Sequence, residues 1–98
     1  MRPKIIAVDY DGTLEAGGAM NSALIARLRA EQMNGSVVIL WTCREGKKLH
    51  EAVTNLARAG FTPNCVNRNC KAAVQLMGHD SRKVFADVYI DDKNLTKF

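Results

Sequence analysis

The sequence predicts an α/β protein with a three-layer, Rossmann-like fold, in which a short parallel sheet carries helices on both faces. Short apolar runs alternate along the chain with segments of helical periodicity, an order typical of parallel strands joined by crossover helices. Polar side chains follow the ends of these runs, and ligands of such sheets bind beyond the carboxyl ends of the strands. The length of 98 residues predicts a single domain over residues 1–98.

The first elements predicted are a buried strand and a helix. Ile5–Val8 is an unbroken apolar run, typical of a strand that is buried on both faces. The Gly-rich residues 14–20 predict a flexible connection, after which Asn21 or Ser22 offers an N-cap. We expect the helix that begins there to end at Asn34-Gly35.

The rest of the chain repeats this alternation. Residues 36–41 are rich in β-branched side chains and predict a second buried strand, with Trp41 in the core. A helix with apolar residues at helical spacing should follow and end at Gly60. The remaining elements are a short strand, a short helix and a last strand, expected at residues 65–66, 71–77 and 84–90.

Composition and charge exclude several classes of protein. No apolar run approaches membrane-spanning length, and the N-terminus lacks the apolar region of a signal peptide, so we expect a cytoplasmic protein without a membrane partner. The net charge is +4, but the basic residues form no run, and we expect no nucleic-acid partner. The three cysteines, an odd number without the spacing of a disulfide framework or a zinc site, should be reduced thiols.

Polar residues follow three of the predicted strands. Asp9 and Asp11 come after the first, separated by one residue and followed by a Gly-Thr turn. Thr42 follows the second strand, and Asp91-Asp92 follows the last. Because parallel strands end at one edge of the sheet, these groups should meet there. Neighbouring carboxylates repel each other unless a cation lies between them or one carries a proton, and both conditions indicate chemistry rather than packing.

These residues resemble the motifs of the haloacid dehalogenase (HAD) superfamily of phosphatases. The segment Asp9-Tyr10-Asp11-Gly12-Thr13 is similar to the first motif of that superfamily, Thr42 to the second and Asp91-Asp92 to the fourth. Lys83 is similar to the third, in a layout like that of the nucleotidase branch. Arg82 and Lys71 are alternatives to Lys83. The resemblance implies a HAD-like core domain without the cap domain that many members carry.

The resemblance also implies a Mg²⁺-dependent hydrolase of a phosphomonoester, a nucleotide being one example, with an aspartyl-phosphate intermediate on Asp9. Asp11 would protonate the leaving oxygen, activate water and contact the metal through its backbone carbonyl. Asp9 and Asp91 would hold Mg²⁺, and Asp92 would be a direct or outer ligand. The residues expected to bind the substrate phosphate are Thr42, Cys43, Arg44 and Lys83.

Two other interpretations remain open. A receiver-type phosphoacceptor also uses an acidic pair, an aspartate, a threonine or serine and a lysine, but its acidic pair follows the first strand and its phosphorylated aspartate lies mid-chain. Here Asp9 and Asp11 come first and Asp91-Asp92 last, an order that favours the phosphatase. A non-catalytic binding module on the same fold is the third interpretation. Without a cap the site should be open, which predicts either a homo-oligomer with the mouth near its interface or a bulky substrate.

Overall fold

A computed structural model of the protein describes residues 2–98 and confirms the predicted α/β class. These residues form six strands and three helices. In chain order they are β1 (Ile5–Val8), β2 (Glu15–Ala16), β3 (Ala19–Met20), α1 (Ser22–Met33), β4 (Val37–Leu40), α2 (Gly46–Arg58), β5 (Cys65–Val66), α3 (Lys71–Met77) and β6 (Val88–Ile90).

Four of the strands make one sheet in the order β5-β4-β1-β6, and every neighbouring pair is parallel. The chain therefore starts in the interior of the sheet, adds β4 and β5 on one side, and returns to place β6 on the other side of β1. Ligand crevices of open parallel sheets form where the strand order reverses in this way. The carboxyl end of β1, next to β6, is that position here.

Helices cover both faces of this sheet, which makes the three layers that the sequence predicts. On one face, Leu28 of α1 and Leu56 of α2 pack with Ile6 and Val38 in a fully buried cluster. On the other face, Ala73 of α3 joins a second cluster. Its buried strand residues are Ile5, Ala7 and Ile39. Strands covered on both sides must be apolar throughout, which explains the unbroken apolar sequence of β1.

The prediction of a flexible connection at residues 14–20 is wrong. These residues form a small antiparallel hairpin, in which Glu15 pairs with Met20 and Ala16 pairs with Ala19. The Glu15 carboxylate accepts a hydrogen bond of 2.8 Å from the Gly18 N–H in its turn. Leu14 lies fully buried directly before β2, so the hairpin is anchored in the core at its base.

The predicted helix boundaries are confirmed. The Asn21 side chain accepts a hydrogen bond of 3.1 Å from the Leu24 N–H and so is the N-cap of α1. The chain leaves α2 through Ala59 and Gly60. Gly78 ends α3 in the left-handed conformation, with φ of 78°, that favours glycine.

The last strand is shorter than predicted, because β6 contains only Val88–Ile90. In residues 84–87 the backbone makes other contacts: the Phe85 N–H donates to the side-chain oxygen of Asn69 at 2.6 Å. The Val84 carbonyl accepts a bond of 2.6 Å from the Tyr89 hydroxyl. Asp87 still pairs with β1, because its N–H donates to the Ile5 carbonyl at 2.8 Å. Val84 is buried against the sheet, so the apolar pattern of residues 84–86 reflects burial without strand pairing.

None of the helices formed by residues 2–98 is long and apolar enough to cross a membrane.

Candidate active site

A cleft of about 590 Å³ opens at the carboxyl edge of the sheet. We call it the Asp9 cleft. It lies beyond the ends of β4, β1 and β6, the position at which the sequence analysis places the site. The residues that line it are Ala7, Asp9, Trp41, Thr42, Cys43, Lys83, Tyr89, Ile90 and Asp91. Five of the predicted site residues, Asp9, Thr42, Cys43, Lys83 and Asp91, are thus brought together.

Asp9 is held at the point where β1 leaves the core. Its N–H donates to the Ile90 carbonyl at 2.9 Å, which continues the β1–β6 pairing by one residue. Its carboxylate Oδ1 accepts a hydrogen bond of 2.8 Å from the Tyr10 N–H. Within residues 2–98, no donor is hydrogen-bonded to Oδ2 of Asp9. One carboxylate oxygen is therefore oriented by the backbone, and the other remains available to a ligand.

The electrostatic environment of Asp9 disfavours its negative charge. Partial burial raises the pKa of the Asp9 carboxyl, and the nearby charges of Asp11, Asp91 and Asp92 raise it further. The hydrogen bond from the Tyr10 N–H opposes this shift. A carboxylate in these surroundings gains from a cation placed between it and its acidic neighbours.

Asp91 is oriented by a tight turn after β6. Its Oδ1 accepts hydrogen bonds from the N–H groups of Lys93 at 2.9 Å and Asn94 at 3.1 Å. Backbone bonds between Asp91 and Asn94 in both directions close the same turn. As at Asp9, one carboxylate oxygen is thus engaged by the backbone next to the cleft.

Thr42 is positioned by a residue that the sequence analysis missed. The Thr42 N–H donates to Oδ1 of Asn67 at 2.8 Å, and the Asn67 N–H donates to the Leu40 carbonyl at 2.8 Å. Asn67 adopts a left-handed backbone with φ of 52°, a conformation that asparagine tolerates better than most residues. The Thr42 hydroxyl accepts a bond of 3.1 Å from the Arg44 N–H, and its hydrogen is available for another acceptor.

Asp11 and Arg44 form a bidentate ion pair instead of facing the cleft together with Asp9. The Arg44 guanidinium donates to both Asp11 carboxylate oxygens, at 2.8 and 2.9 Å. It also lies over the Tyr10 ring, 4.7 Å from its centroid, and donates to the Lys48 carbonyl at 3.2 Å. The hydrogen bonds from Arg44 lower the pKa of the Asp11 carboxyl. Neither side chain is among those that line the Asp9 cleft, so the expectation that Arg44 binds substrate there does not match this geometry.

Of the three candidates for the phosphate-neutralising cation, Lys83 lines the cleft, and Arg82 and Lys71 do not. The Lys83 ammonium lies 5.9 Å from the centroid of the Tyr89 ring. Asp92 is exposed beside the cleft without lining it, and it acts on Asp9 through its charge.

The carboxylates at this edge suit a hard divalent cation. Within residues 2–98, no group of three or more His, Cys, Asp and Glu side chains is arranged to hold a metal ion. A site built on Asp9 and Asp91 would therefore need backbone carbonyl, water or substrate oxygens, which are ligands that Mg²⁺ accepts. Each of the two carboxylates has one oxygen that is not hydrogen-bonded to the described chain. The residues present fit Mg²⁺.

Two aromatic cleft residues were not expected. The prediction that Trp41 lies in the core is wrong, because its side chain is 37% exposed and lines the cleft. Tyr89, within the last strand, is 38% exposed and also lines the cleft. Cys65 and Cys70 are buried, Cys43 is exposed, and none of the three forms a disulfide.

Comparison with known proteins gives one informative match. No family model and no curated protein matches the chain. A solved structure, that of the conserved protein coded by a locus from Bacteroides thetaiotaomicron, matches with a TM-score of 0.78 and 31% sequence identity. The match covers 99% of this chain and 82% of that one. Identity at this level over nearly the whole length shows common family membership, and the chain therefore belongs to the family of this conserved Bacteroides thetaiotaomicron protein.

Proposed function

We propose that the protein is a Mg²⁺-dependent phosphatase that hydrolyses a phosphomonoester through an aspartyl-phosphate on Asp9. The observation that carries the proposal is the composition of the Asp9 cleft. It combines a half-buried carboxylate, a hydroxyl and a second carboxylate at the carboxyl ends of three parallel strands with a lysine from the segment between α3 and β6. Phosphoryl transfer requires a positioned nucleophile and positive charge around the transferred group, and these residue types provide both.

In the first step, the free carboxylate oxygen of Asp9 attacks phosphorus, and the bond from phosphorus to the leaving oxygen breaks. The leaving oxygen takes a proton from Asp11. The Thr42 hydroxyl and the Lys83 ammonium donate hydrogen bonds to the phosphoryl oxygens. In the second step, water attacks the phosphorus of aspartyl-phosphate and gives its proton back to Asp11, which releases inorganic phosphate and Asp9.

Asp9 and Asp91 would hold the cation, together with the backbone carbonyl of Asp11. Mg²⁺, when bound, would supply the positive charge that the cluster of carboxylates lacks. The raised pKa of Asp9 supports this assignment, because partial burial and then the charges of Asp11, Asp91 and Asp92 disfavour a negative charge that a bound cation would stabilise.

The ion pair of Asp11 with Arg44 adds a requirement to this mechanism. Both carboxylate oxygens of Asp11 accept hydrogen bonds from Arg44, and a carboxylate in that state cannot donate a proton. Arg44 must therefore release Asp11 when substrate binds, and Asp11 must then take up a proton from solvent before it acts as the acid. Solvent-exposed ion pairs contribute only about 0.2–1 kcal/mol, and the Asp11 side chain is 55% exposed, so this release costs little.

The same ion pair favours a second candidate, a phosphoacceptor domain. If Arg44 stays on Asp11, a phosphoryl group accepted by Asp9 has no base to activate water, and the phosphorylated protein persists. The two candidates differ in the lifetime of phosphorylated Asp9, which is short for a phosphatase and long for an acceptor.

The test of the proposed function is a phosphatase screen. Purified protein is assayed on a panel of phosphomonoesters, with Mg²⁺ and with excess chelator, beside the Asp9→Asn variant. Glu51→Gln is the matched control, because Glu51 is an exposed carboxylate on α2 outside the Asp9 cleft. We expect Mg²⁺-dependent release of phosphate by the wild type and by Glu51→Gln, and none by Asp9→Asn. Equal activity of Asp9→Asn and wild type would refute the proposal.

A further inference from the structure

Trp41 and Tyr89 expose large aromatic surfaces beside the candidate nucleophile. Each side chain is more than a third exposed, although neighbouring strand residues such as Leu40 and Ile90 are almost fully buried. Both side chains line the Asp9 cleft. Two exposed aromatic residues that line one polar cleft together offer a ligand an apolar contact surface, which isolated exposed residues such as Met33 and Leu76 do not.

The strand register places the two aromatic residues on the strands that flank β1, offset from each other by two residues along the strands. Tyr89 of β6 pairs with Ala7 of β1, and Ala7 pairs with Ile39 of β4. Trp41 follows Ile39 by two residues, so it lies on the same face of the sheet. Neighbouring strands are about 4.8 Å apart, and β4 and β6 therefore lie about 10 Å apart across β1. Tyr89 is thus level with Ala7 and Trp41 is level with Asp9. A slot results between the two aromatic residues, diagonally across β1, and both of them line the Asp9 cleft.

A flat ring is the ligand group that stacks best on two aromatic side chains. Aromatic pairs prefer centroid separations of about 4.5–7 Å, and a ring that enters the cleft between Trp41 and Tyr89 could contact both. The slot is continuous with the polar part of the cleft, since Asp9 follows Ala7 by two residues and faces the same cleft.

Tyr89 is oriented before any ligand binds. Its hydroxyl donates to the Val84 carbonyl at 2.6 Å, and the Lys83 ammonium lies 5.9 Å from its ring centroid. A ring that is already fixed loses little conformational entropy when a ligand stacks on it. In the proposed mechanism Lys83 also binds the phosphoryl group. The Tyr89 ring therefore lies next to the phosphate-binding part of the cleft.

We propose that the Asp9 cleft selects phosphomonoesters whose leaving group carries a flat aromatic ring, which stacks between Trp41 and Tyr89 while the phosphoryl group lies at Asp9. This inference rests on the proposed function and names its substrate class. It also accounts for an open site without a cap, because the ring of the substrate covers the mouth of the cleft. Stacking on aromatic side chains typically increases affinity by about 5- to 150-fold.

The test compares two ligands of matched size and leaving-group type, benzyl phosphate and cyclohexylmethyl phosphate. Trp41 is the single tryptophan of the chain, so its fluorescence reports directly on occupancy of the slot. In the Asp9→Asn background, which prevents turnover, we expect benzyl phosphate to bind about 5- to 150-fold more tightly and to change the Trp41 emission. The cyclohexyl compound has the same phosphate and a similar volume but no flat ring.

Three variants in the Asp9→Asn background locate the effect. Tyr89→Leu should remove most of the preference for benzyl phosphate, whereas Tyr89→Phe keeps the ring and should retain it. Trp41→Leu, followed by calorimetry, should lose the preference as well. Leu76→Ala is the control, because Leu76 is 60% exposed on α3 and does not line the cleft, and it should leave both affinities unchanged.

A second pair of ligands shows where in the substrate the recognised ring lies. Adenosine 5′-monophosphate and ribose 5-phosphate differ by the base alone. Tighter binding of the nucleotide identifies a base at a distance from the phosphate as the ring that is recognised. A preference confined to the benzyl pair identifies a ring adjacent to the phosphate. Either result supports the proposal.

Equal affinities for both members of both pairs would overturn it, and so would failure of all four ligands to bind. Coverage of Trp41 by a second copy of the chain, seen as emission that changes on dilution together with a dimeric mass in light scattering, would also overturn it. If benzyl phosphate binds preferentially but the wild type hydrolyses neither compound, the proposed hydrolysis fails while the inference about ligand class holds.

Discussion

Among the described residues, Asp87 has the most strongly shifted pKa. The size of this shift limits how much its ion pair with Arg2 can contribute to stability. Its two carboxylate oxygens accept hydrogen bonds from the Arg2 guanidinium at 2.6 and 2.8 Å. One of them also accepts a bond of 2.8 Å from the N–H of Ile5, the first residue of β1. The hydrogen bonds from Arg2, helped by the one from Ile5, lower the pKa of Asp87 from 3.8 to about 2.

The perturbation is Asp87→Asn, which keeps an acceptor oxygen for the Ile5 N–H and removes the charge. The pKa difference of about 1.8 corresponds to an upper bound of about 2.4 kcal/mol, at 1.36 kcal/mol for each pKa unit. The side chains of Asp87 and Arg2 are 29% and 37% exposed, and solvent screening reduces that value. We expect a loss of about 0.5–1 kcal/mol at pH 7.

The sign of the pH dependence follows from the direction of the shift. A carboxyl whose pKa is lowered by folding stabilises the fold above its unfolded pKa of 3.8, and this contribution disappears as the pH falls toward about 2. Urea unfolding of wild type and Asp87→Asn should therefore show the full difference at pH 7 and about half of it at pH 3. Glu51→Gln controls for loss of a surface carboxylate. The same difference at both pH values, or none at pH 7, would refute the reasoning.

Three further predictions concern the site and its support. Asp11→Asn should slow hydrolysis of alkyl phosphates more than that of aryl phosphates, because a basic leaving oxygen needs the proton more; steady-state rates on both substrate classes measure this. Arg44→Gln should leave the free energy of unfolding almost unchanged, because exposed ion pairs contribute little, and it should raise turnover of alkyl phosphates, because it frees Asp11. Asn21→Ala should lower the free energy of unfolding by about 1 kcal/mol through loss of the α1 N-cap, as measured in urea.

Each of these has an outcome that contradicts it. Equal losses on alkyl and aryl phosphates would remove Asp11 from acid catalysis. An inactive but folded Arg44→Gln variant would show that Arg44 assists the reaction instead of restraining it. Wild-type stability of Asn21→Ala would mean that another group satisfies the first turn of α1.

The parallel sheet could be predicted because burial of β1 on both faces produces a pattern that is visible in the sequence. A strand buried on both faces must be apolar at every position, and Ile5–Val8 meets that condition. The same logic placed Asp9, Thr42 and Asp91 at one edge, because parallel strands end together. These three side chains do line one cleft. The order of the strands thus predicted the position of the site better than any single motif did.

The contacts that the sequence did not indicate are made by side chains across loops. The bidentate pair of Asp11 and Arg44 joins residues that are 33 positions apart, and the bond from Thr42 to Asn67 spans 25. No local periodicity encodes such pairs. An asparagine shortly after the short strand β5 was the one available signal for Asn67, since asparagine tolerates the left-handed backbone that this position requires.

Trp41 shows how an apolar pattern can mislead. It extends the run of β4 by one residue, so the pattern predicted burial, but the residue lies beyond the last paired position of the strand. The sheet edge that exposes Trp41 is the same edge that exposes Asp9. Hydrophobicity at the end of a strand therefore indicates either core or cleft, and only the packing of neighbouring elements decides between them.

The central claim is that Asp9 carries the phosphoryl group during turnover, and chemical trapping tests it most directly. The protein is mixed with a phosphomonoester and Mg²⁺, quenched during steady turnover and treated with borohydride, which reduces an aspartyl-phosphate to homoserine. Peptide mass spectrometry then locates the change. The account predicts homoserine at position 9 in the wild type, in a larger amount in Asp11→Asn, and none in Asp9→Asn. Turnover without modification at position 9, or modification at another carboxylate, would contradict it.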